Sequence, residues 1–301
     1  MSASRNEHRD RAILRHEAEA LASGLPALLV AADRVASTVS QGVHGRRRVG
    51  QGETFWQFRR YQAGDSTQDI DWRQSAKSQP VYVRETEWEA AQSVWLWRDG
   101  SPSMDFRSSP KLSLKRDRAD LLLLALASLL VRGGERVALL GHDGTPRSGR
   151  AALNHLAANL DAATAPTESL PPKVMLPRFA RVVLFGDFLS TLDEIGDVVR
   201  TLTGTGLKGH LVQILDPAEE SLPYEGRAVF EGVEDDGDLL LGRVETVRED
   251  YRRLLAQRHA ALADLARSVQ WSFTTHHTDR SPEAVLLALY LALAESGGLT
   301  R

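Results

Sequence analysis

Ser93-Val94-Trp95-Leu96-Trp97-Arg98-Asp99-Gly100-Ser101-Pro102-Ser103-Met104 is the stretch on which the reading of this chain turns. Its first half is apolar and rich in Val and Trp, which predicts a strand. The strand stops at Asp99-Gly100, a turn signal. A strongly apolar helix is expected next, from about Leu114 to Val131, closed by Gly133-Gly134. Arg136 to Leu140 then reads as a strand and 149–162 as a helix. The prolines at 166, 171, 172 and 177 mark a long connection. The pattern repeats with strand Arg181 to Phe185, helix 191–203 and strand His210 to Leu215. Regular alternation of strands and helices predicts a mostly parallel sheet with helices on both faces, an α/β doubly wound fold.

Further out, segments 227–231 and 238–242 predict a hairpin inserted near 222–243, followed by a helix over 244–268. The chain closes with strand Trp271 to Thr274 and helix 282–295, with Pro282 in its first turn. Upstream, residues 8–39 carry leucines and alanines at helical spacing, with Pro26 expected to end or kink the helix. Residues 42–90 differ. They hold Gly, Arg, Gln and Asp with Phe55, Trp56, Phe58, Tyr61 and Trp72, and predict a small irregular or β-rich module pinned by buried aromatics. The expected organisation is a helical segment over 1–41, the module over 42–90 and an α/β domain over 91–301.

Composition narrows the function classes. A net charge of −3 gives no reason to expect nucleic acid or an anionic membrane as partner. The Arg46-Arg47-Arg48 run is the one basic cluster and reads as a solvated loop. Cysteine is absent, which excludes disulfides, thiolate metal sites and cysteine nucleophiles. The first residues carry no apolar signal-peptide core. The longest apolar stretch, Leu121 to Val131, is far short of the roughly 20 residues of a membrane helix. The expectation is a cytoplasmic protein without membrane insertion.

Asp99, Ser101 and Ser103 stand at alternate positions on one tight turn after a strand. Three oxygen groups so placed suit a hard cation such as Mg²⁺. In doubly wound sheets, ligands sit beyond the carboxyl ends of strands where the strand order reverses. Asp187 ends the strand Val182-Val183-Leu184-Phe185-Gly186. If the two strands are neighbours, both carboxylates face one crevice. The plainer alternative has Asp99 and Ser101 only shaping a turn or capping the next helix.

Gly50-Gln51-Gly52-Glu53-Thr54-Phe55, Arg59-Arg60-Tyr61, Gly64-Asp65, Ile70-Asp71-Trp72, Ser75-Ala76-Lys77 and Val81-Tyr82-Val83-Arg84-Glu85 together resemble the signature of a bacterial family, domain of unknown function fifty-eight (DUF58). The likeness is specific from about Gly42 to Asp105. It continues more loosely through Asp216-Pro217 and Thr278-Asp279-Arg280-Ser281-Pro282. It implies a von Willebrand factor A-like core with a metal-ion-dependent adhesion site, and a MoxR-type AAA+ ATPase as protein partner. By that likeness Asp99, Ser101, Ser103 and Asp187 hold Mg²⁺ (or Mn²⁺/Ca²⁺). A middle motif usually supplies a threonine. Here no Gly-Thr stands at the start of the corresponding helix, and Thr145 and Ser148 are the candidates.

Three functional readings follow. The first is a metal-dependent protein-binding module, an adaptor or chaperone component of an ATPase system, without catalysis of its own. The second is a metal-dependent hydrolase or phosphotransferase. Against it, the position two residues after Asp99 is Ser101 where aspartyl phosphotransferases place a second Asp. No Gly-rich loop with Lys-Ser/Thr is present either, so the chain does not read as an ATPase. The third is an interaction protein that has lost its metal. His276-His277, adjacent on a strand, point to opposite faces and are expected at a surface or turn.

Overall fold

A computed structural model describes residues 27–44, 54–61, 70–77, 80–87, 92–161, 168–178, 180–204, 206–232 and 237–295. The chain divides into two units, one formed by residues 1–45 and 92–301 and the other by 46–91. Expectations for residues 8–26, the Arg46–Arg48 run and Gly64-Asp65 fall outside the described residues.

In the larger unit, five strands form one parallel sheet. They are β3 (Ser93–Arg98), β4 (Arg136–Leu139), β5 (Arg181–Gly186), β6 (Lys208–Leu215) and β9 (Ser272–His277). The order is β4-β3-β5-β6-β9. From β3 the chain first steps outward to β4, then returns to place β5 on the opposite side of β3. The order therefore reverses between β3 and β5, where Asp99 and Asp187 lie. That is the switch point at which doubly wound sheets hold ligands.

Alternate residues of each strand feed two cores. Val94, Leu96, Val137, Leu139, Val183, Phe185, Val212 and Ile214 face helices α1 (Ala27–His44), α3 (Lys115–Arg132), α4 (Gly149–Asp161) and α8 (Pro282–Glu295). Trp95, Trp97, Ala138, Val182, Leu184 and Leu211 face α5 (Leu192–Thr203) and α7 (Glu245–Ser268) on the other side. The two-residue period of the pleat does this sorting. Residues Leu122 to Leu130 of α3 are buried on every face, covered by the sheet and by α1. Asp33 on α1 fastens that contact, accepting from Ser128 Oγ at 2.8 Å and pairing with Arg132. Helix α1, expected as a segment of its own, is thus part of the main core and runs to His44.

Element ends follow sequence rules. Gly134 takes φ 87° after α3, a conformation that suits glycine. Thr191 and Glu194 form a capping box at the start of α5. Asp216 caps a short helix α6 (Pro217–Ser221) that the sequence pattern did not predict. Strands β7 (Ala228–Phe230) and β8 (Leu239–Leu241) pair as the expected hairpin.

The smaller unit is β-rich. β1 (Thr54–Arg60) and β2 (Tyr82–Glu87) pair antiparallel, with a register shift between Phe55 and Gln57. Asp71 caps the four-residue helix α2 (Trp72–Ser75), accepting from Gln74 N at 2.8 Å. Ser75 Oγ donates to the Asp71 carbonyl and accepts from Tyr82 N at 2.9 Å. Trp72, expected in a core, is 66% exposed, and Tyr61 is 37% exposed. A two-stranded unit has too little interior to enclose every aromatic.

His276 also departs from expectation. Strand β9 runs through His277, so His276 turns inward and is buried, while His277 pairs with Glu220 at 2.8 Å. Burial, then nearby Arg118, lowers the His276 pKa to about 4. Burial, then Arg181, lowers His210 on β6 to about 4 as well. Burial raises Asp120 on α3 to about 6, against the pull of its partner Arg98. Between pH 4 and 6.5 each histidine takes up a proton on unfolding, whereas Asp120 releases one. The histidines therefore lose stability for the fold as pH falls through that window, and Asp120 partly offsets the loss. Denaturant midpoints measured across pH 4–7 are expected to rise with pH for the native sequence. The slope should be shallower or reversed in His210→Gln/His276→Gln, and an unchanged slope would remove the histidines as the cause.

Candidate metal and interaction site at the switch point

The parallel pairing of β3 with β5 sets Arg98 opposite Phe185, and Asp99 N donates to the Phe185 carbonyl at 2.8 Å. The two strands thereby deliver Asp99 and Asp187 side by side. Gly186 permits the approach. A Cβ there would lie 2.8 Å from Asp99 Cβ and 2.9 Å from its Oδ2. After β5, Phe188 takes a left-handed conformation with φ 54°, a locally strained arrangement of the kind that clusters at functional sites. Arg258 of α7 donates to the Phe188 and Ser190 carbonyls and holds this corner. Gln213 of β6 donates to the Asp187 carbonyl at 3.1 Å.

From Asp99 a chain of oxygens runs across the crevice. Ser101 Oγ donates to Asp99 Oδ1 at 2.6 Å, and Ser101 N donates to the same oxygen at 2.9 Å. Ser103 Oγ, in a 3-10 turn over Pro102–Asp105, donates to Asp187 Oδ2 at 2.6 Å. The two hydroxyl oxygens are 3.0 Å apart. Either hydroxyl can donate across that contact, so the two serines are linked to each other as well as to the carboxylates. All four side chains are buried, Asp99 at 0%, Asp187 at 1%, Ser101 at 2% and Ser103 at 4% exposure. The turn does not cap the following helix, which begins at Lys115 without a side-chain cap.

Lys115 was not anticipated. It opens α3, is 0% exposed, and places Nζ 3.0 Å from Asp187 Oδ2 and 2.6 Å from Glu219 Oε1. Burial by itself would lower the ammonium's pKa, but Asp187 and Glu219 outweigh it and hold the value above the ordinary lysine range. Glu219 reaches back from α6, its other oxygen accepting from Asp216 N at 2.7 Å. Asp216 in turn accepts from Ser108 N and Ala218 N, each at 2.9 Å. Lys115, Asp187 and Glu219 thus tie α3, β5 and α6 together. One signal was available in the sequence. Lys115, Ala119, Leu122 and Leu126 fall at helical spacing, so Lys115 shares the buried face of α3.

Thr145 lies elsewhere. It is exposed in the turn after β4 and takes no part in the hydrogen bonds that join Asp99, Ser101, Ser103 and Asp187. Ser148 is exposed as well. In that turn Asp143 is the anchored residue, accepting from Leu139 N at 2.7 Å and pairing with His155 at 2.6 Å.

The donor set can be tested against a divalent cation. Adjacent ligands of octahedral Mg²⁺, at bonds of about 2.1 Å, are about 3.0 Å apart. Ser101 Oγ and Ser103 Oγ stand at that separation. The flanking carboxylates orient the hydroxyls from behind, as outer partners of metal ligands do. Ser101 and Ser103 therefore fit as direct ligands, and Asp99 and Asp187 as carboxylates next to them. Among the described residues there is no group of three or more His, Cys, Asp or Glu side chains disposed to hold a metal, so the fit rests on the hydroxyls.

A protein-family comparison matches residues 57–261 to "Protein of unknown function DUF58". The chain belongs to the DUF58 family. Uncharacterized proteins of Mycobacterium bovis and Mycobacterium tuberculosis are 24% identical to this DUF58 chain over 286 residues, covering 86% of it and 86% of each relative. Among solved structures it is similar to the conserved hypothetical protein BatB of Bacteroides thetaiotaomicron, with TM-score 0.40 and 11% identity. It is also similar to an aerotolerance-related membrane protein of Bacteroides fragilis, with TM-score 0.41 and 14% identity. Both matches cover 68% of this chain and 100% of the other. No described helix of this DUF58 chain is long and apolar enough to cross a membrane.

The Lys115–Asp187 contact is buried and the Lys115–Glu219 contact partly so, whereas Arg116, the next residue, forms an exposed ion pair with Asp105. Lys115→Met leaves two carboxylates without their cation and is expected to cost about 3–5 kcal/mol. Arg116→Ala should cost under about 1 kcal/mol. Urea denaturation of both variants checks this, and equal costs would refute the structural role of Lys115. Gly186→Ala should cost about 1–3 kcal/mol by crowding Asp99, and a neutral effect in the same measurement would show that β3 and β5 can separate there without loss.

Proposed function

We propose that this DUF58 chain is a metal-dependent protein-interaction module with a von Willebrand A-like core, working in the cytoplasm as an adaptor or chaperone-like partner of a MoxR-type AAA+ ATPase. The observation that carries this reading is the facing pair of Ser101 and Ser103 hydroxyl oxygens, 3.0 Å apart between two carboxylates at the sheet's switch point. Ser101 and Ser103 would hold Mg²⁺ (or Mn²⁺/Ca²⁺), with Asp99 and Asp187 balancing its charge. Bound there, the ion would supply a positive centre that neutral hydroxyls leave incompletely satisfied, able to accept a carboxylate from another protein. Asp99 and Asp187 orient the hydroxyls, and the Phe188 corner held by Arg258 fixes where Asp187 points. Both carboxylates accept a serine hydrogen at 2.6 Å, a contact that a general base would also make, so turnover is the measurement that separates binding from hydrolysis.

A second reading, a metal-free interaction protein, is favoured by one observation. The Lys115 ammonium already lies on Asp187, and the four oxygen-bearing side chains are closed off from solvent.

The test is direct binding of the purified protein to the MoxR-type ATPase of the same genome, in Mg²⁺ and in EDTA. The expected outcome is binding in Mg²⁺ that weakens by about tenfold or more, roughly 1.4 kcal/mol, in EDTA or in Asp99→Ala. Binding of equal strength under all three conditions would leave the metal-free reading standing. An absence of binding throughout would refute the partner. Phosphatase or esterase turnover lost in Ser101→Ala would return the chain to the hydrolases.

A further inference from the structure

We infer that Lys115 is an internal competitor for the cation at this site, its ammonium holding Asp187 when no metal is bound and giving up that contact when one enters. The inference rests on the metal-dependent reading above and concerns how that site is regulated.

Three observations support it. First, Asp187 Oδ2 accepts from Ser103 Oγ at 2.6 Å and from Lys115 Nζ at 3.0 Å, while Oδ1 accepts from Leu189 N at 3.3 Å. A cation held by the serines beside Asp187 therefore meets the Lys115 ammonium on the same carboxylate and competes with it for that charge. Second, Lys115 has a second holding point. Glu219 Oε1 lies 2.6 Å from Nζ, and Glu219 is itself fixed by Asp216 N and only partly buried. The ammonium can release Asp187 and keep a charged partner, so leaving is not prohibitive. Third, carboxylates outnumber the ammonium. Asp99, Asp187 and Glu219 stand against the single Lys115 ammonium, which favours further positive charge in the cluster.

The ammonium also explains how Asp187 stays buried beside Asp99. Without a cation, Asp99 and Asp187 would repel across the Ser101–Ser103 bridge. Lys115 supplies the positive charge covalently, from the first turn of a helix that the core cannot release. The site is then assembled before metal arrives, and its metal affinity is set low because the incoming ion works against a fixed like charge a few ångströms away.

The experiment is Mn²⁺ binding, followed by the electron paramagnetic resonance of the free ion, for the native chain, Lys115→Met and Arg116→Met. Arg116→Met removes the same charge one residue away from an exposed pair that does not touch Asp187. Lys115→Met should bind Mn²⁺ about tenfold more tightly or better, well within the repulsion removed at that range. Arg116→Met should stay within about twofold of the native chain. Thermal denaturation gives the second readout. EDTA should leave the native midpoint unmoved, whereas Lys115→Met should melt low in EDTA and recover in Mn²⁺. If Lys115→Met is unfolded without metal, refolding on addition of Mn²⁺ supports the inference, and failure to refold overturns it. Equal affinity in all three proteins, or an equal gain in Arg116→Met, overturns the competition while leaving the metal site intact. No Mn²⁺ binding by any of the three overturns both the competition and the metal-dependent reading. Partner binding in EDTA then stands or falls separately.

Discussion

A charged nitrogen sealed from water at the head of the helix packed between the sheet and α1 sets the terms for everything at the carboxyl end of the sheet. Buried ammonium groups are costly unless paired. Lys115 meets two carboxylates, Asp187 just after β5 and Glu219 in the first turn of α6, and so ties both elements to the head of α3. The rest of the local structure serves that requirement. Gly186 lets Asp99 come alongside, Phe188 accepts a strained conformation, and Asp216 with Glu219 forms a capping box that also aims Glu219 inward. The serine turn then bridges the remaining carboxylate, Asp99, to the same centre.

Much of the fold was legible because its signals are local and repeated. Strands followed by helices, several of them stopped by Gly or started by a cap, imply a parallel sheet without reference to distant contacts. The convergence of Asp99 and Asp187 was legible for the same reason: in a doubly wound sheet the carboxyl ends of neighbouring strands share one crevice. What the sequence hid depends on tertiary context. A lysine near a helix start reads as solvated, and its helical spacing from Ala119, Leu122 and Leu126 becomes decisive only once the packing of α3 shows which face is buried. The His276-His277 pair read as surface because the extent of β9 was underestimated. Trp72 read as core because large aromatics usually are, yet it opens a short helix in a unit too small to enclose it.

The middle motif illustrates a different limit. Thr145 and Ser148 were singled out by position in a pattern, and the structure puts both in exposed positions near the start of α4. The turn is organised by Asp143, whose carboxylate holds a strand amide and a helix histidine. A position in a pattern does not determine what a side chain does when the turn carrying it is built on another anchor.

The double covering of α3 has a practical corollary. The larger unit draws on two separated stretches of chain, so 46–91 is an excursion within it rather than an appendage. A fragment beginning at residue 92 would strip α1 from α3 and present a continuous oily ridge of leucines to water, a recipe for aggregation. A nick inside the excursion has the opposite outcome: α1 would remain seated by its own apolar stripe and by Asp33, and the two pieces would travel as one particle.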